Sequence, residues 1–283
     1  MYKYHNENTM FVREVRIVVS NLDRSIDFYT NILGLSVIKK EGNEAYLGVD
    51  GKNVLLVLKE VKNAKPAKNN IGLYHFAFLL DSRSALAQIL NHLIEKEYSL
   101  TGLSDHGISE AIYLQDPDNN GIEIAVDRYD EEGNVYKLNH FGPKRIDLHD
   151  LFKHLPKEKF NKLPKNTIIG HLHLHVNNIE EAKRFFVEGL GFEIQFDYRG
   201  LAVFVSTRGY HHHIGFNIWN GKDAKRRDDL QAGLESYVIS VPKEELAKIK
   251  LRLNNLGYEV NEVDNKLELF DVNQDKLILE AVF

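Results

Sequence analysis

Residues 15–19 read VRIVV, an apolar run of strand length, and residues 171–176 read HLHLHV, alternating with a period of two. Both patterns predict strands. Beyond the first run the period changes: Ile26, Phe28, Tyr29, Ile32 and Leu33 recur at helical spacing, with Asp23 and Asp27 in the early turns. Gly34 and Gly191 close this helix and its counterpart, where a left-handed cap suits glycine. Two or three short strands follow, separated by turn sequences such as VDGK (49–52) and DPDNNG (116–121). One strand, one helix and a further set of strands make a βαβββ unit. Alone, such a unit is too small to bury its sheet.

The unit recurs. IVVSNLDRSIDFYTNILGL (17–35) aligns without a gap on LHVNNIEEAKRFFVEGLGF (174–192) at an offset of 157, and AYLGVDGKNVLL (45–56) falls on AVFVSTRGYHHH (202–213) at the same offset. A second pair begins with GLYHFAFLL (72–80) and GLESYVISV (233–241) and ends with LQDPDNNGIEI (114–124) and LFDVNQDKLIL (269–279). The chain thus consists of four modules, 11–60, 71–128, 167–220 and 233–283, forming two repeats, 11–128 and 167–283. Between the repeats lies a polar connection, 129–166, with one short helix expected near DLHDLF (147–152).

Composition narrows the chemistry. The 283 residues suit two ordinary domains, and 43% hydrophobic with 27% charged residues is a globular balance. No window approaches a membrane span and the first ten residues lack the apolar core of a signal peptide, so a cytoplasmic protein is expected. A net charge of −5, with the basic run 225–227 offset by Asp228 and Asp229, speaks against a nucleic-acid partner. With no cysteine in the chain, disulfides, zinc–thiolate sites and thiol nucleophiles are excluded, and any metal must be held by His, Asp or Glu.

The fourfold βαβββ pattern and the segment NLDRSIDFYTNILG (21–34) resemble the vicinal oxygen chelate superfamily, which includes glyoxalase I, bleomycin-resistance proteins and extradiol dioxygenases. The resemblance implies an α+β fold of two domains with cupped mixed sheets. It also implies a divalent metal in a cup formed by two paired modules, with ligands from the first and last strands. Those positions here are Glu14 in module 1, His75 and Glu123 in module 2, His171 in module 3, and Ser236 with Ile278 in module 4. Pairing of sequence neighbours would divide the candidates into Glu14, His75 and Glu123 on one side and His171 alone on the other. Pairing module 2 with 3, and 1 with 4, unites His75, Glu123 and His171 in the two-His, one-carboxylate set of non-haem iron(II) oxygenases. The connection 129–166 is long enough to permit this, and the permuted pairing is the one expected. A histidine on a strand is more often a packing residue than a ligand, and the weight rests on all three occupying ligand positions together.

Further residues resemble those of catechol 2,3-dioxygenase-type enzymes. IYLQDPDNNGIE (112–123) puts Tyr113 ten residues before Glu123, SDHGISEAIY (104–113) supplies His106, and HHIG (212–215) supplies His212. The resemblance implies that His212 carries protons, that Tyr113 and His106 bind a diol oxygen, and that iron(II), with manganese(II) as second candidate, is the cofactor. It implies extradiol cleavage of a catechol or hydroquinone-type diol with insertion of both atoms of O2, and is compatible with a homo-oligomer. Two other readings remain: a glyoxalase I-like lyase or isomerase, and a metal-free small-molecule (drug) binding protein. Within GYHHHIGF (209–216), strand alternation would turn His211 and His213 away from His212 and out of the chemistry. His173 and His175 share the face of His171 and either line the cavity or stack beside it; Trp219 and Tyr210 either line the pocket or, the safer expectation, pack in the core.

Overall fold

The computed structural model describes residues 2–137 and 143–282, with nothing stated of the Val282 side chain. Module 1 comprises β1 (Phe11–Val19), α1 (Leu22–Asp27), β2 (Ser36–Glu41), β3 (Glu44–Gly48) and β4 (Leu56–Glu60). Module 2 comprises β5 (Asn70–Leu80), α2 (Arg83–Glu95), β6 (Leu100–Asp105), β7 (Ser109–Gln115) and β8 (Gly121–Asp127), and α3 (Leu148–Phe152) lies in the connection. Module 3 runs through β9 (Ile168–His175), α4 (Ile179–Lys183), β10 (Glu193–Tyr198), β11 (Ala202–Ser206) and β12 (Ile214–Asn217). After the two-residue β13 (Lys225–Arg226), module 4 adds β14 (Gly233–Pro242), α5 (Lys243–Asn255), β15 (Asn261–Val263), β16 (Lys266–Phe270) and β17 (Lys276–Val282).

Asn21 and Asn178 cap α1 and α4, each accepting from a backbone N–H of the first turn. Both helices then widen into π-helical turns, Phe28–Ile32 and Arg184–Leu190. Gly34 and Gly191 end them at φ of +83° and +91°, a conformation that favours glycine over any residue with a Cβ. The apolar residues of this stretch, Phe28, Tyr29 and Leu33, are buried in one core continuous with both sheets.

Two mixed sheets result, and each joins modules that are not neighbours within a repeat. One has the order β15-β16-β17-β14-β1-β4-β3-β2, uniting modules 4 and 1; the other has the order β10-β11-β12-β9-β5-β8-β7-β6, uniting modules 3 and 2, with β13 alongside β5. The central pairs, β1 with β14 and β5 with β9, are antiparallel. The two sheets share a register: His75 faces His173 as Ser236 faces Arg16, and Ala77 faces His171 as Val238 faces Glu14. The ladders therefore fix the same ligand-position equivalences as the sequence repeat.

Modules adjacent in sequence meet through buried turns. Asn120 donates to the Val18 carbonyl (3.4 Å), and Asn273, at a different position of the equivalent turn in module 4, donates to the His175 carbonyl (3.0 Å). Tyr29 and Tyr237 donate to the first aspartates of these turns, Asp116 and Asp271. Among the described residues, no helix is long and apolar enough to cross a membrane.

A candidate metal centre

Three adjacent strands place the cluster. Ala77 on β5 faces His171 on β9 and also faces Glu123 on β8, while His75 lies two residues back along β5 on the same side. All three candidate ligands are buried. His75 Nε2 and His171 Nε2 each lie 3.0 Å from Glu123 Oε2, and 3.3 Å from one another. Two donor atoms about 2.1 Å from one ion and at right angles to each other stand about 3.0 Å apart, so these separations suit one face of a metal's coordination sphere. Two ring nitrogens this close cannot both point protons at one oxygen without repulsion. A cation, by contrast, uses all three lone pairs. Burial raises the Glu123 carboxyl, but the two imidazoles outweigh it and hold the group well below the usual carboxylate range. Burial also pushes His75 down, against the pull of Glu123, toward the neutral form that a metal ligand needs.

The other residues singled out in the sequence flank this cluster. Tyr113 on β7 stands opposite Glu123, and its hydroxyl is 2.8 Å from Nε2 of His106 in the turn after β6. Burial and the Glu123 charge push the Tyr113 hydroxyl well above its ordinary pKa, so it stays protonated at neutral pH. On the other side, the His212 ring lies 4.2 Å from that of His171, centre to centre, and burial keeps it well below the ordinary histidine value. His75, His106, Tyr113, Glu123, His171 and His212 all line one cavity of about 630 Å³. That volume is ample for a single aromatic ring.

Two expectations need correction. His211–His213 precede β12 rather than lying within it, so strand alternation does not separate them. His213 faces away, with Nε2 2.8 Å from the Tyr4 carbonyl, but His211 turns toward His212, their Nδ1 atoms 2.8 Å apart. Trp219, expected in the core, is 52% exposed and lines the cavity mouth. Tyr210 is buried as expected, its hydroxyl bonded to Asp127.

His173 and His175 face the cavity beside His171. Asn217 ties them together: Oδ1 accepts from the Trp219 backbone N–H (3.0 Å) and from His175 Nδ1 (2.8 Å), leaving the amide to donate to His173 Nε2 (3.0 Å). The sequence reading missed Asn217, Tyr74, which packs on His75, His173 and Trp219, and Asp127. Only Asp127 carried a legible signal, since it follows Glu123 by four residues on one strand and so shares its face.

With this geometry in place, comparison with known proteins is informative. The model of the Glyoxalase/Bleomycin resistance protein/Dioxygenase superfamily matches residues 12–124. A catechol-2,3-dioxygenase of Bacillus subtilis (strain 168) is 41% identical over 266 residues, covering 90% of this chain and 92% of its own length. The chain belongs to the glyoxalase/bleomycin resistance/dioxygenase superfamily. A metallothiol transferase FosB of Staphylococcus haemolyticus is 27% identical over 44% of this chain and 90% of its own. Among solved structures, a Bacillus subtilis protein aligns at a TM-score of 0.67 with 14% identity, over 98% of this chain and 86% of that one. Glyoxalase I from Zea mays aligns at 0.59 with 14% identity, over 95% and 92%. Identities this low speak for the shared fold alone.

Proposed function

We propose that the protein is an iron(II)-dependent extradiol dioxygenase that opens a catechol or hydroquinone-type ring and inserts both atoms of O2. The observation carrying this reading is the convergence of His75, His171 and Glu123 on one point, with Tyr113–His106 on one side and His212 on the other. The 41% identity to a catechol-2,3-dioxygenase over most of both chains supports it.

His75, His171 and Glu123 would hold the metal, with manganese(II) as the second candidate. A divalent metal bound there supplies Lewis acidity that lowers the pKa of a chelated hydroxyl, and the redox chemistry by which dioxygen attacks the ring. The protein's own residues do the rest. With the His106 proton on Nε2 and directed at the Tyr113 oxygen, the Tyr113 hydroxyl is free to donate to a diol oxygen and orient the ring. His212, kept neutral by burial, accepts a diol proton and later returns it. Tyr74, Phe204 and Trp219 form an aromatic wall that excludes water and matches a flat substrate. In the net reaction one ring C–C bond beside the hydroxyls breaks, and both oxygen atoms of O2 remain in the product.

The test is to load the protein anaerobically with iron(II), add catechol and air, and follow oxygen uptake with the yellow ring-fission product. Stoichiometric uptake is expected. Absence of uptake with every diol, alongside turnover of a thiohemiacetal, would sink the proposal in favour of glyoxalase-type isomerisation.

A further inference from the structure

Asp127 and His211 have no part in the proposed chemistry, although both are buried and His211 adjoins the cavity-lining His212. Asp127 Oδ2 accepts from the hydroxyls of Tyr210 (3.0 Å) and Tyr129 (3.3 Å), and Oδ1 lies 2.9 Å from His211 Nε2. The other nitrogen of His211, Nδ1, is 2.8 Å from Nδ1 of His212. These contacts form a chain, Asp127 to His211 to His212, leading from the far end of β8 to the ring that lies tilted against His171.

The chemistry of each group fixes the direction of every bond. Burial raises Asp127, but His211 and the hydrogen bond from the Tyr210 hydroxyl outweigh it and keep the carboxyl below its usual value, so it is ionised and can only accept. His211 must therefore carry its proton on Nε2. Taken as the neutral imidazole, His211 has this single N–H, which leaves its Nδ1 as a bare acceptor. The hydrogen between the two Nδ1 atoms then belongs to His212, whose Nε2 keeps a free lone pair. Neighbouring rings hold both imidazoles in place: Tyr210 lies over His211 at 4.0 Å and the edge of Phe204 meets His212 at 5.0 Å. We propose that Asp127 and His211 are positioning residues that fix the tautomer of His212, presenting its Nε2 to the cavity as a proton acceptor. What this acceptor takes up, a diol hydroxyl proton, rests on the function proposed above; the tautomer does not.

Imidazole nitrogen resonances of the 15N-labelled full-length protein, metal-free and loaded with diamagnetic zinc, test the inference directly. His212 is assigned by the signals lost in His212→Gln. Native His212 is expected to show a protonated Nδ1 and a bare Nε2. In Asp127→Asn the amide donates to His211 Nε2, both rings reverse, and His212 shifts to the Nε2–H form. With a diol substrate, kcat then falls on the order of 10²-fold while KM moves little. Asp127→Glu, which restores the acceptor, recovers the native tautomer. A native His212 carrying its proton on Nε2, or one unchanged in Asp127→Asn, overturns the inference; the native spectrum decides alone if the variant does not fold. Failure to turn over any diol would overturn the proposed function instead, and the spectra would still decide the tautomer.

Discussion

Gly121 opens β8 beside β5, the two strands that carry Glu123 and His75. A Cβ there would stand 2.0 Å from the Tyr74 carbonyl oxygen, 3.1 Å from the Tyr74 carbonyl carbon and 3.3 Å from His75 Cβ. Real Cβ contacts essentially never fall below 3.0 Å, so Gly121→Ala must part the strands by about 1 Å, and the obstacle is backbone that no rotamer change relieves. Overpacking of this kind costs about 1–3 kcal/mol, lowering the Tm by about 2–10 °C in a protein of this size. The same displacement moves His75 away from Glu123, whose donor atoms are 3.0 Å apart, and should weaken metal binding about 10–100-fold. Gly102→Ala is the internal control. On β6 the added methyl meets only the Tyr113 side chain, at 3.7 Å and 3.9 Å, which is ordinary contact. That variant should be neutral or stabilised by about 0.4–1 kcal/mol. Thermal unfolding and anaerobic iron(II) competition against a coloured chelator measure both effects. Gly121→Ala with native Tm and native iron affinity would refute the claim that this close approach sets the cluster.

Glu123→Gln keeps the volume but removes the charge that both imidazoles meet, and should cost at least about 100-fold in metal affinity by the same competition assay. Tyr113→Phe leaves a half-buried ring intact and removes the hydroxyl that accepts from His106 and would donate to the diol; kcat with a diol should drop about 10²–10³-fold, with an unchanged circular dichroism spectrum. His5 is buried, its Nε2 3.0 Å from the Gly170 carbonyl, and burial lowers its pKa to about 4. Because the folded pKa lies below the unfolded one, its contribution is complete above about pH 6.5 and fades as pH falls toward 4. About 2 kcal/mol should be lost between pH 7 and pH 5. Urea midpoints should show this acid loss in the native protein and a shallower one in His5→Gln, and equal slopes would refute it.

The repeat made much of the architecture legible. An offset of 157 equated Glu14 with His171 and Leu55 with His212, and the ladders reproduce the first equivalence strand by strand. The helical spacing of Ile26 to Leu33 and the glycines that end both helices were readable for the same reason, since local backbone preferences act within a few residues. What misled was local too. GYHHHIGF has the composition of a strand, but the chain turns through 207–213 and only then enters β12, so alternation does not apply to His211. Trp219 has the bulk of a core residue yet sits at a cavity mouth, a choice made by the neighbouring Tyr74 and His173.

By itself, the sequence determined the four modules, the loss of candidate ligands from module 4, and which residue types could meet a metal in a chain without cysteine. Which modules share a sheet it reached only indirectly, through ligand positions that the pairing of module 2 with 3 alone unites, because strand pairing is a contact between segments far apart in the chain. The tertiary structure built it: β5 pairs with β9 and β1 with β14, bringing His75 Nε2 and His171 Nε2 each to 3.0 Å from Glu123 Oε2. It alone also decided the fate of the histidine run, where a carboxylate 84 positions away, Asp127, draws His211 toward itself and His211 in turn meets His212. Hydrogen-bond direction depends on which groups become neighbours, and neighbours are made by the fold.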